Sequence, residues 1–255
     1  MPPKITNDAW ENATLSNRFL FYKIMTSNPD VCQHLLEILL HIEIDHIEPP
    51  NGEQTFDVDA EAKGVRLDVY TKSNGRIFDL EMQTSDTHEL PKRARYYQGI
   101  MDVDILKVGE SYNKLKESYV IFLCLDDIFH HGLPVYTFQN RCDEDTDILL
   151  DDKTYKIFFN AKRYDIMSTD EEKDFFRFLT GEKAGSDFTQ KLDTLVTESK
   201  HNAEWRKQFM TWGQELQLEH ERAFKEGLEQ GIEQGRFTDA RIAAKQGCLA
   251  GQDFL

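Results

Sequence analysis

Residues 66–83 read R-L-D-V-Y-T-K-S-N-G-R-I-F-D-L-E-M-Q, with Asn74-Gly75 between two runs of strand-forming residues. That arrangement is a strong signal for a hairpin with a tight two-residue turn. Such a turn fixes the register, so Asp68 stands opposite Glu81 and Arg66 opposite Gln83. Side chains alternate along a strand, which places Glu81 and Gln83 on one face. The other face carries Leu67, Val69, Phe78, Leu80 and Met82, an apolar set suited to a core. Like charges directly opposed across a sheet are destabilising. A hard divalent cation is the simplest reason to hold two carboxylates together.

Mg²⁺ is commonly held by one or two carboxylates together with water and a substrate phosphate. Asp68 and Glu81 are therefore candidate metal ligands. An ion there offsets phosphate charge and lowers the pKa of a bound water. Gln83 can orient that water or donate to a phosphate oxygen, but it is neither a cation nor a strong base. The competing reading is a hairpin with a solvated acidic face.

A third carboxylate is available upstream. Residues 31–42, V-C-Q-H-L-L-E-I-L-L-H-I, repeat apolar side chains at helical spacing, and Asn28-Pro29 marks a helix start. Val31, Leu35, Leu39 and Ile42 form one stripe, flanked by Leu36, Ile38 and Leu40. Glu37 sits among them. Either it is partly buried and needs a metal or lysine partner, or it lies at the helix edge and reaches water.

The chain has 255 residues, enough for one large domain or a domain with an appendage. Its 17 Phe and 40% hydrophobic content can fill a sizeable core. Nothing resembles a signal peptide, and no apolar run approaches the roughly 18 residues of a membrane span, so no membrane association is expected. Cysteines at 32, 124, 142 and 248 lack metal-ligand spacing. They fit a reducing, cytoplasmic setting. The eight His form no H-E-x-x-H pattern, and an exposed loop accounts for His130-His131 beside Asp126-Asp127. The net charge of −16 opposes bulk adhesion to nucleic acid. From Lys63 to Arg95, however, seven basic residues face five acidic ones, whereas residues 141–200 carry fifteen acids and ten bases. The cationic excess lies at the hairpin and the segment after it, which suits a phosphodiester substrate.

Residues 15–25 form an early apolar segment with helical character, followed by the helix of 29–42. Residues 43–62 are mixed and acidic, with a break at Pro49-Pro50-Asn51-Gly52. The hairpin spans 64–84, and a helix over 88–102 places Lys92, Arg95 and the rings of Tyr96 and Tyr97 near one another. Basic and aromatic side chains so interleaved can meet phosphates and stack on a base, or simply close a helix end over the sheet. Residues 118–125 are the clearest buried strand, with further strands at Val135–Phe138 and Lys156–Phe159. The middle of the chain is thus α/β with strands of mixed direction.

Residues 170–198 read as acidic helix burying Phe175, Phe176, Phe178 and Leu179. One long helix is expected over 201–237, with Trp205, Phe209, Trp212 and Leu216 as its apolar stripe. Gly227, Gly231 and Gly235 recur in G-L-E-Q-G-I-E-Q-G, at a cost of about 1 kcal/mol each in a helix. They form either a smooth stripe for close helix approach or a repeat-derived, fraying tail. The final residues show little pattern.

Taken in order, K-G-V-R-L-D-V-Y (63–70), D-L-E-M-Q (79–83), L-P-K-R-A-R-Y-Y-Q-G (90–99), L-K-V-G-E-S-Y-N-K-L (106–115), Y-V-I-F-L-C (119–124), L-P-V-Y-T-F-Q-N-R-C (133–142) and the E-Q-G-I-E-Q-G tail resemble the recombination-promoting nuclease (Rpn) and transposase family of the PD-(D/E)XK nuclease superfamily. The resemblance covers most of residues 15–237. It implies a restriction-endonuclease-like α/β core, a mixed sheet flanked by helices, plus a helical C-terminal extension. Residues 1–165 would form the nuclease-like domain and 166–255 the helical C-terminal region. It also implies Mg²⁺-dependent DNA cleavage, with Mn²⁺ as a substitute ion. Asp68 resembles the metal-binding Asp of the second strand, Glu81 the acid of the third, and Glu37 the acid of the first core helix. Gln83 stands where the superfamily more often has Lys, and only lysine brings a charge. Lys63, Arg66 or Lys92 could supply that charge, Arg66 foremost by register.

The expected function is a metal-dependent DNA endonuclease linked to recombination or mobile elements. Glu37, Asp68, Glu81 and Gln83 are the catalytic set, the three acids are the metal ligands, and Lys63, Arg66, Lys92, Arg93, Arg95 and Tyr96 are the DNA contacts. The first rival is a catalytically weak or inactive nuclease-fold protein that binds DNA or assembles with proteins. The second is an interaction protein whose tail helix pairs subunits, a homodimer through the C-terminal helices.

Overall fold

The computed structural model describes residues 7–56, 65–85 and 88–215, and beyond these the helical positions 217, 218, 221, 222, 225, 228, 232 and 235. Helix α1 (Asn7–Glu11) is followed by α2 (Arg18–Ser27) and α3 (Pro29–Leu40), then strands β1 (Asn51–Phe56), β2 (Val65–Ser73) and β3 (Arg76–Gln83). Helix α4 (Leu90–Ile105) leads to β4 (Glu117–Cys124), β5 (Val135–Phe138) and β6 (Thr154–Asn160). Helices α5 (Asp170–Leu179) and α6 (Asp187–Lys200) follow, and residues 203–215 are helical. Among the described residues no helix is long and apolar enough to cross a membrane.

The six strands form one sheet in the order β1-β2-β3-β4-β6-β5. The β1/β2, β2/β3 and β5/β6 pairs are antiparallel, and β3/β4 and β4/β6 are parallel. The turn between β2 and β3 has Gly75 at φ +74°, and the ladder pairs Ser73 with Arg76, Lys72 with Ile77 and Val69 with Leu80. This is the register the Asn-Gly pair dictates.

Parallel neighbours need a crossover, and α4 supplies it between β3 and β4. Leu90, Ala94, Tyr97, Ile100 and Met101 of α4 join Tyr70, Ile77, Val120, Phe122 and Phe158 of the strands in one core cluster. Around Ile77, Val120, Phe122 and Phe158 that cluster covers the sheet face that carries Glu81, and Leu67, which alternation alone assigns to the other face, belongs to it as well. On the opposite face Phe159 stacks on Phe176 of α5 at 5.2 Å.

Local chemistry sets the helix ends. Asn17 caps α2 by accepting from Leu20 N–H, so the early apolar segment becomes helical only from Arg18. Helix α3 stops at Leu40 because His41 takes the left-handed conformation, φ 53°, which leaves Ile42 off the helical stripe. Thr169 and Glu172 form a capping box that starts α5. Two expectations need correction. The Pro49-Pro50-Asn51-Gly52 break is the entry to β1, an edge strand that begins at Asn51, just after the two prolines. Phe178 is half-buried, while Phe175, Phe176 and Leu179 are buried as their spacing requires.

The described residues divide into two compact units, one within 13–201 and one made of those within 1–12 and 202–255. In the second unit Trp10 lies 5.2 Å from Phe209, both buried, and Phe209 lies 6.2 Å from Trp212. Leu216, Gly227 and Gly231 lie outside the described residues, and Gly235 is helical.

Candidate active site

Beyond Val69–Leu80, side chains take over the hydrogen bonding between β2 and β3. Asp68 donates its backbone N–H to Glu81 Oε1 at 2.9 Å, and Met82 donates its N–H to Asp68 Oδ2 at 3.3 Å. Each carboxylate is therefore held by an amide of the opposite strand. Hydrogen bonds to an ionised acceptor are about twice as strong as neutral ones. They offset part of the cost of placing two buried acids side by side.

Two guanidiniums engage the remaining oxygens. Arg18, the first residue of α2, places Nε and Nη2 each 2.6 Å from Asp68 Oδ1. Arg93 of α4 donates from Nη2 to Glu81 Oε2 and from Nη1 to Gln83 Oε1, both at 3.1 Å. Its Nε and Nη2 also donate to Tyr97 Oη, at 3.2 and 3.1 Å. The guanidinium carbon lies 5.4 Å from the centre of the Tyr97 ring and 5.5 Å from that of Phe122. Gln83 donates its Nε2 to the Ser85 carbonyl. Every oxygen of the Asp68–Glu81 pair thus has a partner, and two guanidiniums flank the two acids.

Asp79 lies two residues before Glu81, opposite Tyr70. It is 0% exposed, and among the described residues neither carboxyl oxygen has a hydrogen-bond partner. Burial, then the neighbouring Glu81 and Asp68, hold its pKa well above the usual carboxylate range. Burial also raises Asp68, against the pull of Arg18. Glu81 is pushed up to about 8 by burial first and Asp68 second, with Arg18 and Arg93 opposing. Burial alone would lower the Arg18 pKa, but Asp68 and Glu81 reverse this and raise it.

Asp68, Glu81, Gln83 and Arg93 are joined in one hydrogen-bonded network. Glu37 is engaged elsewhere. Its Oε1 accepts from Ile44 N–H at 3.1 Å and from Gln33 Nε2 at 3.4 Å, which closes the turn after α3. Among the described residues no group of three or more His, Cys, Asp or Glu is arranged to hold a metal. Lys92, Arg95 and Tyr96 lie on the exposed face of α4, while Arg93 turns inward. Arg66 pairs through its backbone with Thr55 of β1. Lys63 lies outside the described residues.

Three participants escaped the reading of the sequence. Arg18 gives no local signal, because its contact crosses 50 positions of chain. Tyr97 is buried against the sheet, the second of the two readings its ring pair allows, but its bond to Arg93 one helical turn away has no sequence signal. Asp79 could have been found, since alternation puts it on the face of Glu81.

A family model described as PD-(D/E)XK nuclease family transposase matches residues 16–209. No curated protein and no solved structure gives a significant match. The match takes in the hairpin, α4 and all six strands. A mixed sheet flanked by helices is the restriction-endonuclease-like architecture, and nucleases of this superfamily generally use divalent metal ions. With the fold, the paired acids and the matched span in agreement, this chain belongs to the PD-(D/E)XK nuclease family of transposases.

Proposed function

We propose that the protein is a metal-dependent endonuclease that hydrolyses DNA phosphodiester bonds in recombination or the movement of mobile elements. The observation that carries this reading is the buried Asp68–Glu81 pair, held side by side by amides of opposite strands. The donor set fits a hard divalent ion such as Mg²⁺ or Mn²⁺. It consists of carboxylate oxygens, and two carboxylates with water and a substrate phosphate suffice. Asp68 Oδ1 and Glu81 Oε2, the oxygens turned toward arginines, would hold it. Such an ion offsets charge on the scissile phosphate and acidifies a water.

The remaining roles fall to the chain itself. Gln83 is committed through both ends of its amide, to Arg93 and to Ser85. It therefore orients Arg93, and Arg93 brings to this position the positive charge that glutamine lacks. Tyr97 and Phe122 fix the plane of that guanidinium beside the acids. A guanidinium in a water-poor pocket stabilises charge developing on a phosphoryl group. The exposed Lys92, Arg95 and Tyr96 suit the DNA backbone and an unstacked base.

Incubation of supercoiled and single-stranded DNA with Mg²⁺, Mn²⁺ or chelator, wild type beside Asp68→Asn, tests the reading. Metal-dependent cleavage lost in the variant supports it, and equal cleavage by both proteins overturns it. A second reading, a nuclease fold retained for DNA binding or assembly, draws on the same two arginines, which neutralise the acids without an ion. It predicts DNA retention with no cleavage of either substrate.

A further inference from the structure

Arg18 and Arg93 hold the acidic pair in different ways. Arg93 is braced on every side by Tyr97, Gln83, Glu81 and the Phe122 ring. Among the described residues, the side-chain hydrogen bonds of Arg18 all go to Asp68. Both of its donors converge on the single oxygen Oδ1, because Met82 N–H holds Oδ2. The two-oxygen fork that makes an arginine–carboxylate pair most durable is therefore unused. The Arg18 side chain is 36% exposed, whereas that of Asp68 is 3% exposed. Arg18 also projects from the first turn of α2, so it can leave without disturbing a packed element.

We propose that Arg18 is a displaceable counter-ion: its guanidinium occupies the metal-facing oxygen of Asp68 until a divalent cation takes that oxygen and frees the arginine for a substrate phosphate. This inference rests on the metal-dependent reading above. A buried carboxylate without a partner is costly, so Asp68 requires a cation before metal arrives. The two Arg18 donors take both lone pairs of Oδ1, so a metal at that oxygen displaces at least one of them; each weakens the binding of the other, and the coupling is reciprocal. The released guanidinium remains beside the pocket, where its planar donors match a phosphate. The arrangement keeps the pair folded and neutralised in the metal-free protein, and it makes metal affinity respond to substrate.

The test is Mn²⁺ binding to the full chain, followed by paramagnetic resonance and calorimetry, with Tm measured in chelator and in Mn²⁺. Wild type is compared with Arg18→Gln, Arg18→Lys and Asp68→Asn. Arg18→Gln should bind Mn²⁺ about tenfold more tightly than wild type. It should have a lower Tm in chelator and recover it with Mn²⁺. Arg18→Lys, which keeps the charge but reaches Oδ1 through one nitrogen, should fall between the two and guards against a Gln variant that does not fold. Unchanged or weaker Mn²⁺ affinity in both Arg18 variants, with Asp68→Asn losing the ion, overturns the counter-ion role alone. Mn²⁺ binding that is absent from wild type and from every variant removes the metal-dependent reading along with it.

Discussion

Arg93 and Tyr97 stand one helical turn apart on α4, and the phenol oxygen accepts two hydrogen bonds from the guanidinium, at 3.2 and 3.1 Å. The tyrosine thus fixes an arginine whose other contacts, Glu81 and Gln83, lie on a strand. Tyr97→Phe keeps the ring and removes the oxygen. Cleavage should fall by about tenfold, with a loss of about 1 kcal/mol in stability, the net worth of an ordinary hydrogen bond. Steady-state cleavage and urea denaturation check both.

Arg93→Ala leaves Glu81 Oε2 buried without its cation. Removing one partner of a buried ion pair costs about 3–5 kcal/mol. The guanidinium is a quarter exposed, so the expected loss lies near the lower figure. Arg93→Lys restores a charge but cannot reach Glu81 and Gln83 together. Thermal melts should order the three proteins wild type, Lys, Ala.

Asp79→Asn replaces a carboxyl held protonated by its surroundings with a neutral group of similar shape. In the unfolded chain at neutral pH that carboxyl is ionised, so folding must bind a proton. The substitution removes this requirement. Stability should rise by about 1 kcal/mol, or about 2–4 °C in Tm for a domain of this size. A fall in Tm at pH 7 would show that Asp79 is ionised and partnered.

Stability should depend on pH through Glu81, whose folded pKa of about 8 lies above its ordinary value of 4.5. Between these values the folded protein holds a proton that the unfolded chain has lost. Its contribution is complete below about pH 4.5 and declines as pH rises toward about 8, at most by about 1.4 kcal/mol per pH unit for one proton. Denaturation series from pH 5 to 8 should slope downward for wild type and less steeply in Glu81→Gln, where Asp79 keeps a residual slope.

Lys92→Ala and Arg95→Ala remove exposed charges, so Tm should hold within the range of ordinary surface changes, about 0.5 kcal/mol. DNA affinity should weaken on every sequence alike. Each substitution should also lower the slope of log affinity against log salt by about 1 if the side chain meets a phosphate. Titrations at several salt concentrations report that slope directly.

The hairpin was legible because one dipeptide controls a whole ladder: Asn74-Gly75 sets the turn, and the observed pairs obey the register it imposes. Strands β4, β5 and β6 were legible from their apolar, β-branched and aromatic runs. Strand β1 was hidden by Pro49, Pro50 and Gly52, residues that punctuate loops as readily as they introduce an edge strand. The inward turn of Arg93 was hidden by its basic neighbours Lys92 and Arg95, which share its composition but not its face. Arg18 could not be found from local pattern, since only the folded chain brings α2 against the end of the β2–β3 ladder. Periodicity reports which face of an element is buried, not which distant charge lies against it.

Helix α4 carries outward and inward cations at adjacent positions, and consecutive helical residues are about 100° apart around the axis. Lys92 and Arg93 therefore cannot be adjusted independently. A roll of the helix that draws the outer lysine toward a bound strand also swings the inner arginine relative to Glu81. The far end of the helix is tied to the sheet as well, since Tyr70 and Lys72 both donate to Asp104 Oδ2, at 2.9 and 2.8 Å.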